Sequence, residues 1–279
     1  MCSVLCGAYS EMSEPQEIDL FLDTSAQFSR HSLDPQTRSR IEALLGSARI
    51  TGSSTYSRLE FKLSFLRDLA YLHGKLRQFR SIPEVFVHLA KLPPPHDRKL
   101  RRTLNHLARF WQTVPGGDEA IIDAILLSIE ENVLSYWDWF DESVDHLADG
   151  TGCVRSTEPP RLHRGHVDVT LNSCRPARIR CRIHKFFEEN RQVFQGIVAV
   201  IEQLPEAERS KELKSVQRLT AEASNDPRVL CDDRVCRRIG DALIGVDGKG
   251  FPAIVSSNAT EFAVICRALG NNLIQIPPS

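Results

Sequence analysis

Three carboxylates in this chain stand at positions where chemistry is easily built. Asp23 closes an apolar run, Ile18-Asp19-Leu20-Phe21-Leu22, and is followed by two hydroxyls, Thr24 and Ser25. Glu60 lies early in a helical stretch that opens on Ser53-Ser54-Thr55-Tyr56. Asp241 lies in the first turn of a third segment, where Ile239, Ala242, Leu243 and Val246 recur at helical spacing. A Gly-rich break, Asp247–Gly250, leads from there to a β-prone run, Ala253-Ile254-Val255, that ends in Ser256-Ser257-Asn258. Ligands of open α/β sheets bind outside the carboxyl ends of the strands, so the pattern predicts that the three acids meet at one sheet edge. Gathered carboxylates repel and are stable together only when protonated or bridged by cations. Oxygen donors of this kind select Mg²⁺ or Mn²⁺, and such an ion can activate water and clamp a phosphodiester. The commonplace alternative is that each acid caps a helix or complements its dipole. Three acids in matching positions, each beside an apolar run, favour the chemical reading.

The elements that must position these acids are legible in order. Asp19–Leu22 reads as a strand. Asp34–Ala48 reads as a helix, with Asp34 as cap, Pro35 at the first position and Ile41, Leu44 and Leu45 on one face. Arg49–Thr51 reads as a second strand, and the Glu60 helix follows it. Strand, helix, strand, helix begins a parallel sheet with crossover helices. From about residue 81 to 225 strand alternation is absent, and helices are predicted over 81–92, 98–112, 118–147, 182–204 and 206–223, with an irregular stretch at 149–181. Val229–Cys231 is a strand or a turn, Glu261–Leu269 a helix capped by Gly270, and Asn272–Ile276 a last strand. The fold class expected is α/β: a core from 17–80 and 226–279, interrupted by an all-helical insertion over 81–225, with 1–16 as a loose leader.

The 279 residues carry a formal net charge of −1, and 42% of them are hydrophobic. That is globular composition without a global field for polyanions, so a nucleic acid would have to meet a local basic patch. No apolar run reaches membrane-spanning length. The first residues lack the basic start and long apolar stretch of a signal peptide. A cytoplasmic location without membrane contact is therefore expected, with the eight cysteines as thiols or metal ligands rather than disulfides.

DLFLDTS, STYSRLEFK and RIGDALIGVDGKGFPAIVSSNATEF together resemble the PIN-domain family of metal-dependent ribonucleases. The resemblance covers the two core segments, about half the chain. It implies a central parallel sheet of PIN type, with Asp23, Glu60 and Asp241 as the catalytic acids that hold Mg²⁺ or Mn²⁺. The expected reaction is hydrolysis of RNA phosphodiester bonds. The resemblance also admits an inhibitory protein partner and a homo-oligomer. Where many members carry a fourth acid, this chain has Asn258 and Ala259, with Glu261 just beyond; Ser257, Asn258 and Glu261 are the auxiliary candidates. The weakened fourth position supports an alternative, a non-catalytic RNA- or protein-binding module on the same fold. A phosphatase of the haloacid-dehalogenase type fits poorly, because Ser25 stands where its second Asp would be.

The irregular stretch carries His163, His166, Cys174 and Cys181, a candidate structural zinc set with spacing unlike the paired CxxC pattern. It also carries Arg178, Arg180 and Arg182, candidates for RNA phosphate. Buried thiols, exposed histidines and a solvated charged face are the ordinary alternatives.

Overall fold

The fold is given by a computed structural model that describes residues 18–31, 34–91, 103–108, 117–169, 174 and 180–277. The expected leader, most of the 98–112 helix and Arg178 lie outside the described residues. A five-stranded parallel sheet forms the centre, in the order β3-β2-β1-β6-β7. Its strands are β1 (Ile18–Leu22), β2 (Ala48–Ser54), β3 (His146–Ala148), β6 (Ala253–Ser256) and β7 (Asn272–Gln275). The chain lays β2 and β3 to one side of β1 and returns to lay β6 and β7 on the other. The strand order therefore reverses between β1 and β6, and a crevice at their carboxyl ends is the expected ligand position.

Both sheet faces are buried, as period-two alternation requires of a covered parallel sheet. Leu20, Leu22, Ala253 and Val255 pack against Ala26 of α1 (Thr24–Ser29) and Ile41 of α2 (Pro35–Gly46). Phe21 and Ile254 face the opposite way, into the largest core cluster. There they meet α3 (Thr55–Phe61) and helices from the last third of the chain. A second cluster, built by Phe61, α4 (Arg67–Phe79), α5 (Ile82–Ala90) and α6 (Asp118–Glu142), includes Trp137. A five-residue π-helical segment, Lys62–Leu66, joins α3 to α4 just past Glu60 and Phe61.

The 81–225 region departs from the all-helical expectation in two places. The long helix stops at Glu142, and His146–Ala148 becomes β3 on the free edge of β2. The cause is a hydrogen-bonding opportunity that helical periodicity does not reveal. The Asp145 carboxylate accepts from the Thr51 N–H and hydroxyl at 2.8 Å each, and the Asp145 N–H donates to the Thr51 carbonyl. A hairpin of β4 (Arg161–His163) and β5 (His166–Asp168) follows. Next come α7 (Ile183–Glu189), α8 (Arg191–Gln203) and α9 (Lys211–Asn225), so the expected 182–204 helix is two helices that meet at Asn190. Their Phe187, Phe194, Ile197, Leu213 and Leu219 share one core with α10 (Gly240–Asp247) and α11 (Ala259–Leu269). The end of the expected insertion is thus part of the main body. Pro227–Cys231 is a 3₁₀ turn, not a strand.

Candidate active site

Asp23 reaches its place because β1 ends and α1 begins around it. It is the N-cap of α1, and its carboxylate accepts from the Ala26 N–H and the Ser25 hydroxyl, both at 2.8 Å. Ser256, at the end of β6, donates its hydroxyl to the other oxygen at 2.7 Å. The adjacent strands thus tie the carboxylate from both sides, and only 3% of Asp23 is exposed. Burial pushes its pKa up to about 6, against the lowering effect of these hydrogen bonds.

Glu60 sits where α3 passes into the π-helical segment, a type of irregularity frequent at functional sites. The Thr24 hydroxyl donates to its carboxylate at 2.9 Å. Burial, and then the charge of Asp23, push Glu60 up to about 7, while Thr24 and Arg237 pull it down. The close approach to α10 depends on Gly240: a Cβ there would lie 2.4 Å from Glu60 Oε1. The next residue, Asp241, is in the first turn of α10. Burial raises its pKa well above the ordinary carboxylate range, and the charges of Glu60, Asp23 and Glu261 raise it further. The Asn258 side-chain amide donates to Asp241 at 2.8 Å and opposes that rise.

The three predicted acids therefore do converge, from residues far apart in sequence, at the strand-order reversal. Of the auxiliary candidates, Asn258 holds Asp241. Glu261 is 7% exposed, lies within electrostatic reach of Asp241 and accepts from the Ser210 hydroxyl at 2.7 Å. Ser257 contributes its backbone N–H to the Ser25 hydroxyl at 2.7 Å, whereas the side chain that binds Asp23 is that of Ser256. Ser256 was legible as part of the polar strand end, but β-strand alternation could not tell which of the two serines turns toward the acid.

Beside the acids opens a cavity of about 500 Å³ with Asp241 and Glu261 on its wall. Lys211, Arg218, Arg237 and Arg238 line it as well. Arg237 is also held by Asp233 at 3.1 Å and Arg218 by Glu222 at 2.6 Å, both exposed pairs that solvent weakens. These four cations were absent from the sequence expectation, although Arg237 and Arg238 directly precede the Asp241 motif. The expected RNA-contacting arginines are elsewhere. Arg180 and Arg182 are exposed and do not line this cavity, and the Arg182 side chain lies over Gly152.

The expected zinc set is not assembled. His163 and His166 are exposed on the β4–β5 hairpin. Cys174 and Cys181 line a separate small cavity that neither histidine reaches.

A hard divalent cation suits the donor chemistry of the acid cluster: Asp23 raises the pKa of Glu60, and Asp23 and Glu60 raise that of Asp241, with Arg237 offsetting part of the rise at Glu60. As placed, each holds a protein hydrogen bond, and among the described residues no group of three or more His, Cys, Asp or Glu is arranged to hold a metal ion. No helix among the described residues is long and apolar enough to cross a membrane. In comparisons with known proteins, no family model, no curated protein and no solved structure matches this chain.

Proposed function

We propose that this chain is a PIN-like, metal-dependent endoribonuclease. The observation that carries the reading is the meeting of Asp23, Glu60 and Asp241 at the carboxyl ends of β1 and β6, against a cavity walled by arginine and lysine. The sequence resemblance assigns those same three acids to catalysis. Glu261 supplies the further carboxylate that the Asn258 position lacks, which favours the enzyme over the non-catalytic module.

Asp23, Glu60 and Asp241, with Glu261 beside them, would hold Mg²⁺ or Mn²⁺. When bound, such an ion lowers the pKa of water and stabilises charge on a phosphoryl oxygen. The chain's own residues prepare that chemistry. Ser256, Ser25 and the Ala26 N–H hold Asp23 in one rotamer, and Asn258 does the same for Asp241. Arg237 and Arg238 present guanidinium groups to a phosphate entering the cavity. The cavity volume lies within the range of small-ligand sites and accommodates part of one strand rather than a duplex.

The test is cleavage of single-stranded RNA by the purified chain with Mg²⁺, with Mn²⁺ and with excess chelator, alongside Asp241→Asn. Cleavage should require the ion. The variant should lose at least about a hundredfold in rate, since several kcal/mol of charge stabilisation is removed, while keeping its circular dichroism spectrum. Cleavage that survives chelator or the substitution would place the activity outside this cluster.

A further inference from the structure

Outside the acid cluster, one group of side chains is brought together without an assigned role. Five of the six described cysteines, Cys153, Cys174, Cys181, Cys231 and Cys236, line a single cavity of about 10 Å³. That is the space of an ion or one water, too small for an organic ligand. The sulfurs come from four separate places: the turn after β3, the stretch before α7, the 3₁₀ turn Pro227–Cys231 and the short helix Asp233–Cys236.

Buried thiols commonly act as small apolar residues, but these have polar company. Cys181 and Cys231 are hydrogen-bonded to each other, and the His184 Nδ1 lies 3.5 Å from the Cys231 sulfur. Arg155 is 6% exposed and donates from Nη1 to the Cys174 sulfur at 3.2 Å. Its Nε is buried without a hydrogen-bond partner, and the Asp233 carboxylate stands 3.5 Å from its Nη1. A buried guanidinium beside clustered sulfurs suits a site with net negative charge. A tetrahedral tetrathiolate around zinc has a net charge of about −2.

We propose that Cys153, Cys174, Cys181 and Cys231 bind one structural zinc ion. Cys236 is set apart from this set because it packs beside the Tyr56 hydroxyl. The ion would fasten the loop between β3 and α7 to the main core. Among the described residues between β3 and α7, the strands are only the three-residue pair of the β4–β5 hairpin. Zinc–sulfur bonds of about 2.3 Å set the sulfurs about 3.7 Å apart. As placed, no group of three or more His, Cys, Asp or Glu among the described residues is arranged to hold a metal ion, so binding would have to draw the sulfurs together. Arg155 and His184 then act on the sulfurs from the next layer, where such contacts orient ligands.

The experiment is metal analysis of the full-length chain, purified in reducing, chelator-washed buffer, followed by titration of its thiols with a mercurial while released zinc is read with a chromogenic chelator. About one zinc per chain is expected, freed as about four thiols react. Exchange for Co²⁺ should give the intense visible bands of a tetrahedral thiolate site, a readout that needs no variant to fold. Cys231→Ser should lose most of the zinc, whereas His163→Ala combined with His166→Ala should retain it. A metal-free chain that takes up no zinc on incubation would overturn the assignment. So would iron in place of zinc, a Cys181–Cys231 disulfide under these conditions, or zinc lost with the histidine pair.

Discussion

Asp23, Glu60 and Asp241 are carried by the ends and first turns of regular elements, whereas Cys153 and Cys181 are carried by irregular chain. Tyr56, buried between them, is close both to Glu60 and to Cys236. The acids are held by hydrogen bonds that the sheet and its helices dictate, so their geometry exists without a ligand. Cys153 and Cys181 have little backbone framework about them, so a ligand would supply it. In the first case the fold makes the site, and in the second the site completes the fold. The donors differ accordingly: hard carboxylates for an exchangeable Mg²⁺ or Mn²⁺, soft thiolates for a retained zinc.

The sharpest break between the two regions should come from Gly240→Ala. The added methyl meets Glu60 Oε1 and forces that carboxylate away from Asp241. RNA cleavage should fall at least about tenfold, since even small misplacement of a catalytic group is costly, while zinc content stays unchanged. Equal loss of both would mean that the substitution disturbs the shared core.

A smaller effect is expected on binding. Arg237→Gln with Arg238→Gln should weaken single-stranded RNA and lower the slope of log affinity against log salt by about one for each arginine that meets phosphate. Fluorescence anisotropy across a salt series reads both. Arg180→Gln with Arg182→Gln should change neither, because those side chains lie away from the cavity. An inverted result would return RNA recognition to the loop that carries the cysteines.

The smallest effect is thermal, and its sign follows from protonation. Burial holds Asp23 near 6 against an ordinary 3.8, and Glu60 near 7 against 4.5. The folded chain therefore keeps protons that the unfolded chain releases. The stability this contributes is full below about pH 4 and is lost as pH rises through about 7. Without divalent ions, Tm should fall by several degrees between pH 5 and 7.5. Mg²⁺ should restore Tm by mass action, and more so at the higher pH. Asp23→Asn should raise the metal-free Tm at pH 7.5 by a few degrees and blunt the Mg²⁺ response. Differential scanning fluorimetry checks these shifts. A flat pH profile in the wild-type chain would show the carboxylates to be well solvated.

The sequence by itself determined the parts whose causes are local. Apolar runs that end in polar residues marked β1 and β6, Asp34-Pro35 marked the start of α2, and Gly270, with φ +76°, closes α11 where a glycine cap was expected. The three acids were legible because each stands at the end of such a local pattern. Only tertiary structure decided the rest. His146–Ala148 became a strand because β2 offered a free edge, not because of its own propensity. Glu261 joined Asp241, and Lys211 and Arg218 joined Arg237, through the packing of α9 and α11 on one core. The cysteines met across sequence distances that no spacing rule covers. Helical period, strand alternation and capping act over a few residues and leave a pattern in the chain, whereas the choice of neighbours depends on which surfaces can be buried together.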